Sequence, residues 1–132
     1  MLRVVQQSVE LAAAQSEVYR MYLDSDAHAA FTGGGPAIIS AVEGTGWSAF
    51  DGRIRGRILS LVPPRQIVQS WRSFEWEESE LDATLVLTLT ASGRATRVDL
   101  VQVGVPDRLY DALVNGWPVR YWQPWQAYLK HR

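Results

Sequence analysis

Few side chains in this sequence are of a type and spacing that could do chemistry. The two histidines, His28 and His131, are far apart, and His131 sits one residue from the end, where little holds it in place. His28 reads as an ordinary surface histidine of a short helical segment. Carboxylates crowd only in Glu75-Trp76-Glu77-Glu78-Ser79-Glu80-Leu81-Asp82. A carboxylate pair can divide general acid and base work when its surroundings separate the two pKa values. This run, however, falls between two strand-like segments and reads as a solvated hairpin loop. Its functional version is an acidic contact surface, Trp76 with Glu77 and Glu78, suited to a basic partner. There is no Gly-x-Ser-x-Gly elbow, no cysteine and no His/Asp/Glu set at ligand spacing. We therefore expect no catalytic residues, no metal and no cofactor.

Aromatic surface is what the chain has in quantity, with six tryptophans among 132 residues. Trp47, Phe50, Trp71, Trp117, Tyr121, Trp122 and Trp125 either line an apolar pocket or fill a core, and their spacing alone leaves both readings open. The aliphatic residues Leu87 and Leu100 lie on the strand faces that such a pocket would use. Gln102 shares the inward parity of Val98 and Leu100, so its amide needs a partner from protein, water or ligand. Arg53, Arg55 and Arg57 form a stripe at alternate positions, joined by Arg72. With a net charge of -1 the stripe reads as a salt-bridged solvent face, and nucleic acid is not an expected partner.

Those residues must be placed by a small number of elements. Residues 2 to 11 alternate, with Val5, Val9 and Leu11 opposite Gln6, Ser8 and Glu10, the period of a half-buried strand. Two short helices follow, one capped by Ser16 and one running from Asp24 to Phe31 until Gly33-Gly34-Gly35-Pro36 ends it. From Ala37 to Val103 the pattern is an antiparallel meander. Asp51-Gly52 predicts a two-residue reversal between Trp47-Phe50 and Arg53-Val62, with Ile54, Gly56 and Ile58 inward. Gly56 lets a neighbour approach closely, and Pro63-Pro64 stops the strand before Gln66. Residues 83 to 91 alternate, and Ser92-Gly93 turns the chain into 95 to 103. From Pro106 a stripe of Leu109, Leu113, Trp117, Tyr121, Tyr128 and Leu129 predicts a long last helix, bent or broken at Pro118 and Pro124.

Three pieces of text are more specific: Phe50-Asp51-Gly52-Arg53-Ile54-Arg55-Gly56-Arg57-Ile58-Leu59, then Val62-Pro63-Pro64-Arg65-Gln66-Ile67-Val68-Gln69-Ser70-Trp71-Arg72, then Gly116-Trp117 and Tyr121-Trp122 before Tyr128-Leu129. They resemble the branch of the START-like (SRPBCC) superfamily named after the activator of heat-shock protein 90 ATPase. The resemblance implies an α+β helix-grip fold, a curved antiparallel sheet around a long C-terminal helix with two short helices after the first strand. Residues 1–132 then form one domain.

It also implies a cavity between sheet and last helix, with Trp47, Phe50, Trp71, Leu87, Leu100, Gln102, Trp117 and Tyr121 as candidate lining. The first expectation is a non-catalytic domain that binds a small hydrophobic or amphipathic ligand. The second is a protein-interaction module acting on a chaperone, and the third a polyketide cyclase-like enzyme. His28 lies where START-like proteins close one end of the fold, which gives it an alternative role in gating. Exposed aromatics leave a homodimer open. No stretch approaches a membrane span and the opening MLRVVQQSVEL has no apolar signal core, so a cytoplasmic protein is expected.

Overall fold

The computed structural model describes residues 1–132. Strand β1 (Leu2–Leu11) is followed by helices α1 (Gln15–Tyr22) and α2 (Ser25–Thr32), then by β2 (Gly46–Ala49), β3 (Ile54–Val62), β4 (Gln66–Ser73), β5 (Ala83–Ser92) and β6 (Ala95–Pro106). A 3-10 turn (Asp107–Leu109) leads into α3 (Tyr110–Trp117), a π-helical segment (Pro118–Trp122) and α4 (Gln123–His131). The strands form one antiparallel six-stranded sheet in the order β1-β6-β5-β4-β3-β2. The first strand therefore crosses to pair with the last, Val5 opposite Gln102, and β1 and β2 are the two edges of an open sheet.

Alternation sets the sheet's two faces. In β5, Leu85, Leu87 and Leu89 are buried while Thr84, Val86 and Thr88 are half-buried. Val98, Leu100 and Gln102 of β6 face inward with them, as their parity requires. The helices cover this inner face, and the core is one continuous cluster.

Local signals were kept in most places and displaced in a few. Asp24 caps α2, its carboxylate accepting from the Ala27 amide at 2.9 Å, and Gly33 ends the helix in the left-handed region at φ 64°. Ser16 does not cap α1, which begins one residue earlier behind Ala14 with no side-chain cap. Its start is fastened instead by Gln15, whose Nε2 donates to the Leu89 carbonyl of β5 at 2.8 Å.

The reversal between β2 and β3 is wider than two residues. Phe50, Asp51 and Gly52 all lie at positive φ (53°, 57° and 84°), and the four residues 50–53 make the turn. Asp and Gly tolerate that region; a phenylalanine there stores on the order of 1 kcal/mol of backbone strain. The Asp51 amide donates to the Pro36 carbonyl at 3.0 Å, which ties the strained turn to the glycine-rich loop.

The prolines do not break the last helix. Pro118 has no N–H for the Val114 carbonyl four residues earlier, and Gln7 of β1 supplies the missing donor, its Nε2 lying 2.7 Å from that oxygen. The Gln7 Oε1 accepts in turn from Trp122 Nε1 at 2.9 Å. The backbone meanwhile widens into a π turn, with the Gln123 amide donating to the Pro118 carbonyl. This widening suits a stripe spaced every four residues: Leu109, Trp117, Tyr121, Trp125 and Leu129 are all buried, with Leu113 half-buried. Tyr128, expected on the stripe, is exposed because the wide turn brings Trp125 inward in its place.

Candidate functional site

A pocket of about 70 Å³ opens at one end of the interior, where three elements meet. The strained β2–β3 turn contributes Phe50, Arg53 and Ile54; the end of β4 and the residues after it contribute Trp71, Ser73, Phe74 and Glu75. The last helix contributes Leu113, Gly116, Trp117, Arg120 and Tyr121. Its walls are aromatic rings in contact with one another. Phe50 meets Tyr121 edge-on at 5.4 Å between centroids, Trp117 tilts against Tyr121 at 4.9 Å, and Trp71 lies 6.0 Å from Trp117.

Four of the eight residues expected to line a cavity border this pocket: Phe50, Trp71, Trp117 and Tyr121. The other four lie elsewhere in the packed interior. Trp47 is buried on β2 and donates its indole N–H to the Ser70 carbonyl at 3.0 Å, passing over Gly56. Leu87 and Leu100 are register partners in mid-sheet, both core. Gln102 is fully buried and its Oε1 accepts from Trp117 Nε1 at 2.9 Å, which fixes the indole that forms one wall. The Gln102 Nε2 has no partner. Its role is thus positional, one layer behind the pocket.

Trp76 is corrected by the structure. It is buried, meets Trp71 edge-on at 5.5 Å, and donates its indole N–H to the Leu81 carbonyl at 3.2 Å, so it packs inward where an exposed anchor was expected. Burying a large apolar body from this loop outweighs the polarity of its neighbours. Glu77 and Glu78 remain exposed. Glu80, by contrast, takes both Arg108 Nη atoms at 2.6 and 2.7 Å, and this pairing pulls its pKa down to about 2.

The arginine stripe also differs from expectation. Arg72 alone is paired, with Asp82 at 2.6 Å, and it faces Arg55 across the β3–β4 register. Arg57 donates to the Gly44 carbonyl at 2.8 Å, and neither Arg53 nor Arg55 is in an ion pair. The acidic loop folds toward Arg72 and Arg108, which leaves Arg53, Arg55 and Arg57 without carboxylate partners.

His28 is the residue that the sequence placed worst. It is fully buried, with Nδ1 2.7 Å from the Tyr22 carbonyl and Nε2 2.8 Å from the Tyr121 hydroxyl. A carbonyl only accepts, so Nδ1 carries the proton, Nε2 accepts, and Tyr121 is the donor. Burial drives the imidazole pKa down to about 4 and holds it neutral, while burial also raises the Tyr121 phenol well above its ordinary value. The three-residue spacing of His28 and Phe31 on α2 was the available signal, since it puts His28 on the helical face of Phe31.

The class these features define is the helix-grip domain: a curved antiparallel sheet closing on an aromatic last helix, with two short helices after the first strand. The sequence model of the family "Activator of Hsp90 ATPase homolog 1-like protein" matches residues 12–130, and the chain belongs to that family.

Its curated relatives include the human activator of 90 kDa heat shock protein ATPase homolog 1, 30% identical over 107 residues, which are 81% of this chain and 31% of the human protein. The chain thus spans less than a third of that relative's length. Among solved structures, a Plasmodium falciparum protein described as an HSP90 activator superposes with a TM-score of 0.88 at 18% identity, covering 96% of each chain. A Colwellia psychrerythraea protein described as the Aha1 dimer superposes with a TM-score of 0.74 at 13% identity, covering 89% of each chain. At these identities the structural likeness speaks for the fold. No helix is long and apolar enough to cross a membrane.

Proposed function

We propose that this chain is a non-catalytic binding module whose pocket between the strained turn, β4 and the last helix receives a small apolar group. The observation that carries the reading is the left-handed Phe50. A bulky residue held at φ 53° is strained, and that strain places its ring on the pocket wall against Tyr121.

The volume limits what fits. At about 70 Å³ the space is roughly half that of a cavity able to hold benzene, so a short aliphatic group or one ring edge fits and a whole lipid or polyketide does not. Proton-transfer chemistry of the cyclase kind has less support, because the Tyr121 proton is held by neutral His28 and the phenol is far from titrating at neutral pH. The test is titration with 1-hexanol, followed through the indole N–H resonances of Trp71 and Trp117. Shifts confined to these two indoles support the reading; a spectrum unchanged at saturating alcohol ends it.

The family and the human relative favour a second reading, in which the domain contacts a heat-shock protein 90 chaperone and alters its ATPase rate. Adding the purified chain to the chaperone and measuring ATP turnover tests it. An unchanged rate with no complex on gel filtration removes it, and the same column reports whether the chain dimerises.

A further inference from the structure

We infer that the pocket's ligand is a small amphipathic carboxylate, its apolar end among the rings and its anionic end held between Arg53 and Arg120; this rests on the pocket reading above. Arg53 and Arg120 reach the pocket from different elements, the β2–β3 turn and the π-helical segment, and neither is in an ion pair. Both are exposed, so each is free to turn toward a bound anion.

Glu75 is the one carboxylate bordering the pocket, and its side chain is in no ion pair. Arg108, held protonated first by its bond with Glu80, donates to the Glu75 backbone carbonyl at 3.0 Å. With two guanidiniums against one carboxylate, the pocket rim carries an excess of positive charge, which disfavours a cation and holds an anion more strongly than a neutral molecule.

Trp71 borders the same pocket. Trp71 is buried, and its indole N–H has no hydrogen-bond partner. The two guanidiniums supply donors that suit a carboxylate. The small volume then restricts the tail inside the pocket to a few carbons, with any longer portion extending outward.

The experiment compares three probes of one chain length, hexanoate, 1-hexanol and hexylammonium, by the indole N–H shifts of Trp71 and Trp117. Hexanoate should bind about tenfold or more tightly than hexanol, and hexylammonium should be weakest. Arg53→Gln and Arg120→Gln should each weaken hexanoate about threefold to tenfold and leave hexanol unchanged, and raising salt from about 0.02 M to about 0.5 M should weaken hexanoate alone. Both arginines are on the surface, so the variants are expected to fold, which their unperturbed amide spectra would show. Hexanol binding as tightly as hexanoate, or hexanoate binding untouched in the double variant, overturns the charge assignment and leaves the apolar pocket standing. Binding of neither hexanoate nor hexanol overturns both.

Discussion

The Tyr121 hydroxyl donates to His28 Nε2 across 2.8 Å, and through that bond the last helix is fastened to α2 while the ring's other nitrogen donates to the Tyr22 carbonyl. Stability should therefore depend on pH in a defined window. The folded pKa of His28 is about 4 against an ordinary 6.5, lowered by burial. Above about pH 6.5 the imidazole is neutral in both states and its packing contributes in full. Between about 6.5 and 4 the unfolded chain binds a proton that the folded chain does not, so stability falls as pH falls, by about 3 kcal/mol in all. Urea unfolding at intervals across that range should show the slope in the native protein, and His28→Gln should flatten it. A native profile already flat over this window would show that the imidazole titrates normally.

Gly56 admits no side chain. A Cβ built there would lie 1.9 Å from the Ser70 carbonyl oxygen and 2.9 Å from Trp47 Nε1, the two atoms joined by the indole hydrogen bond that crosses the glycine. Backbone must move to admit a methyl group. Gly56→Ala should lose about 3 kcal/mol or more, seen as a drop in thermal midpoint.

Trp76 and its acidic neighbours should separate cleanly. Trp76→Ala removes a ring packed on Trp71 and should cost about 3 to 5 kcal/mol in chemical denaturation. Glu77→Gln and Glu78→Gln change only exposed charge and should stay within about 0.5 kcal/mol. Equal and small effects from all three would return Trp76 to the surface.

Gly116 behaves oppositely to Gly56. It lies in α3 with nothing within 4 Å of an added Cβ, so Gly116→Ala should stabilise by about 0.5 to 1 kcal/mol through helix propensity alone. A loss of stability on denaturant titration would mean that the pocket edge is tighter than the geometry indicates.

Much of the fold was legible because it rests on local rules. Period-two alternation in β1, β5 and β6, the stop at Pro63-Pro64, the cap at Asp24 and the close approach at Gly56 each follow from a residue and its neighbours. The misplacements have a common cause. His28, Trp76 and Tyr128 were assigned from polarity or from an ideal helical period, and each was decided by a distant partner. Tyr121 is 93 residues from His28, the Trp71 ring covers Trp76, and the π turn reassigns the place of Tyr128 to Trp125.

By itself the sequence determined the strand faces, the breaks between elements, the aromatic last helix and the absence of cysteine chemistry, since these are properties of residues and their spacing. Tertiary structure alone decided which aromatics border space and which fill it. Phe50, Trp71, Trp117 and Tyr121 meet around the pocket, whereas Trp47, Leu87, Leu100 and Gln102 do not, although all eight carry inward parity or an apolar body. Packing is a relation among residues far apart in the chain. The left-handed turn at Phe50 and the widened helix at Pro118 determine where the rings stop touching, and neither is visible until Gln7 and Pro36 have found their partners across the fold.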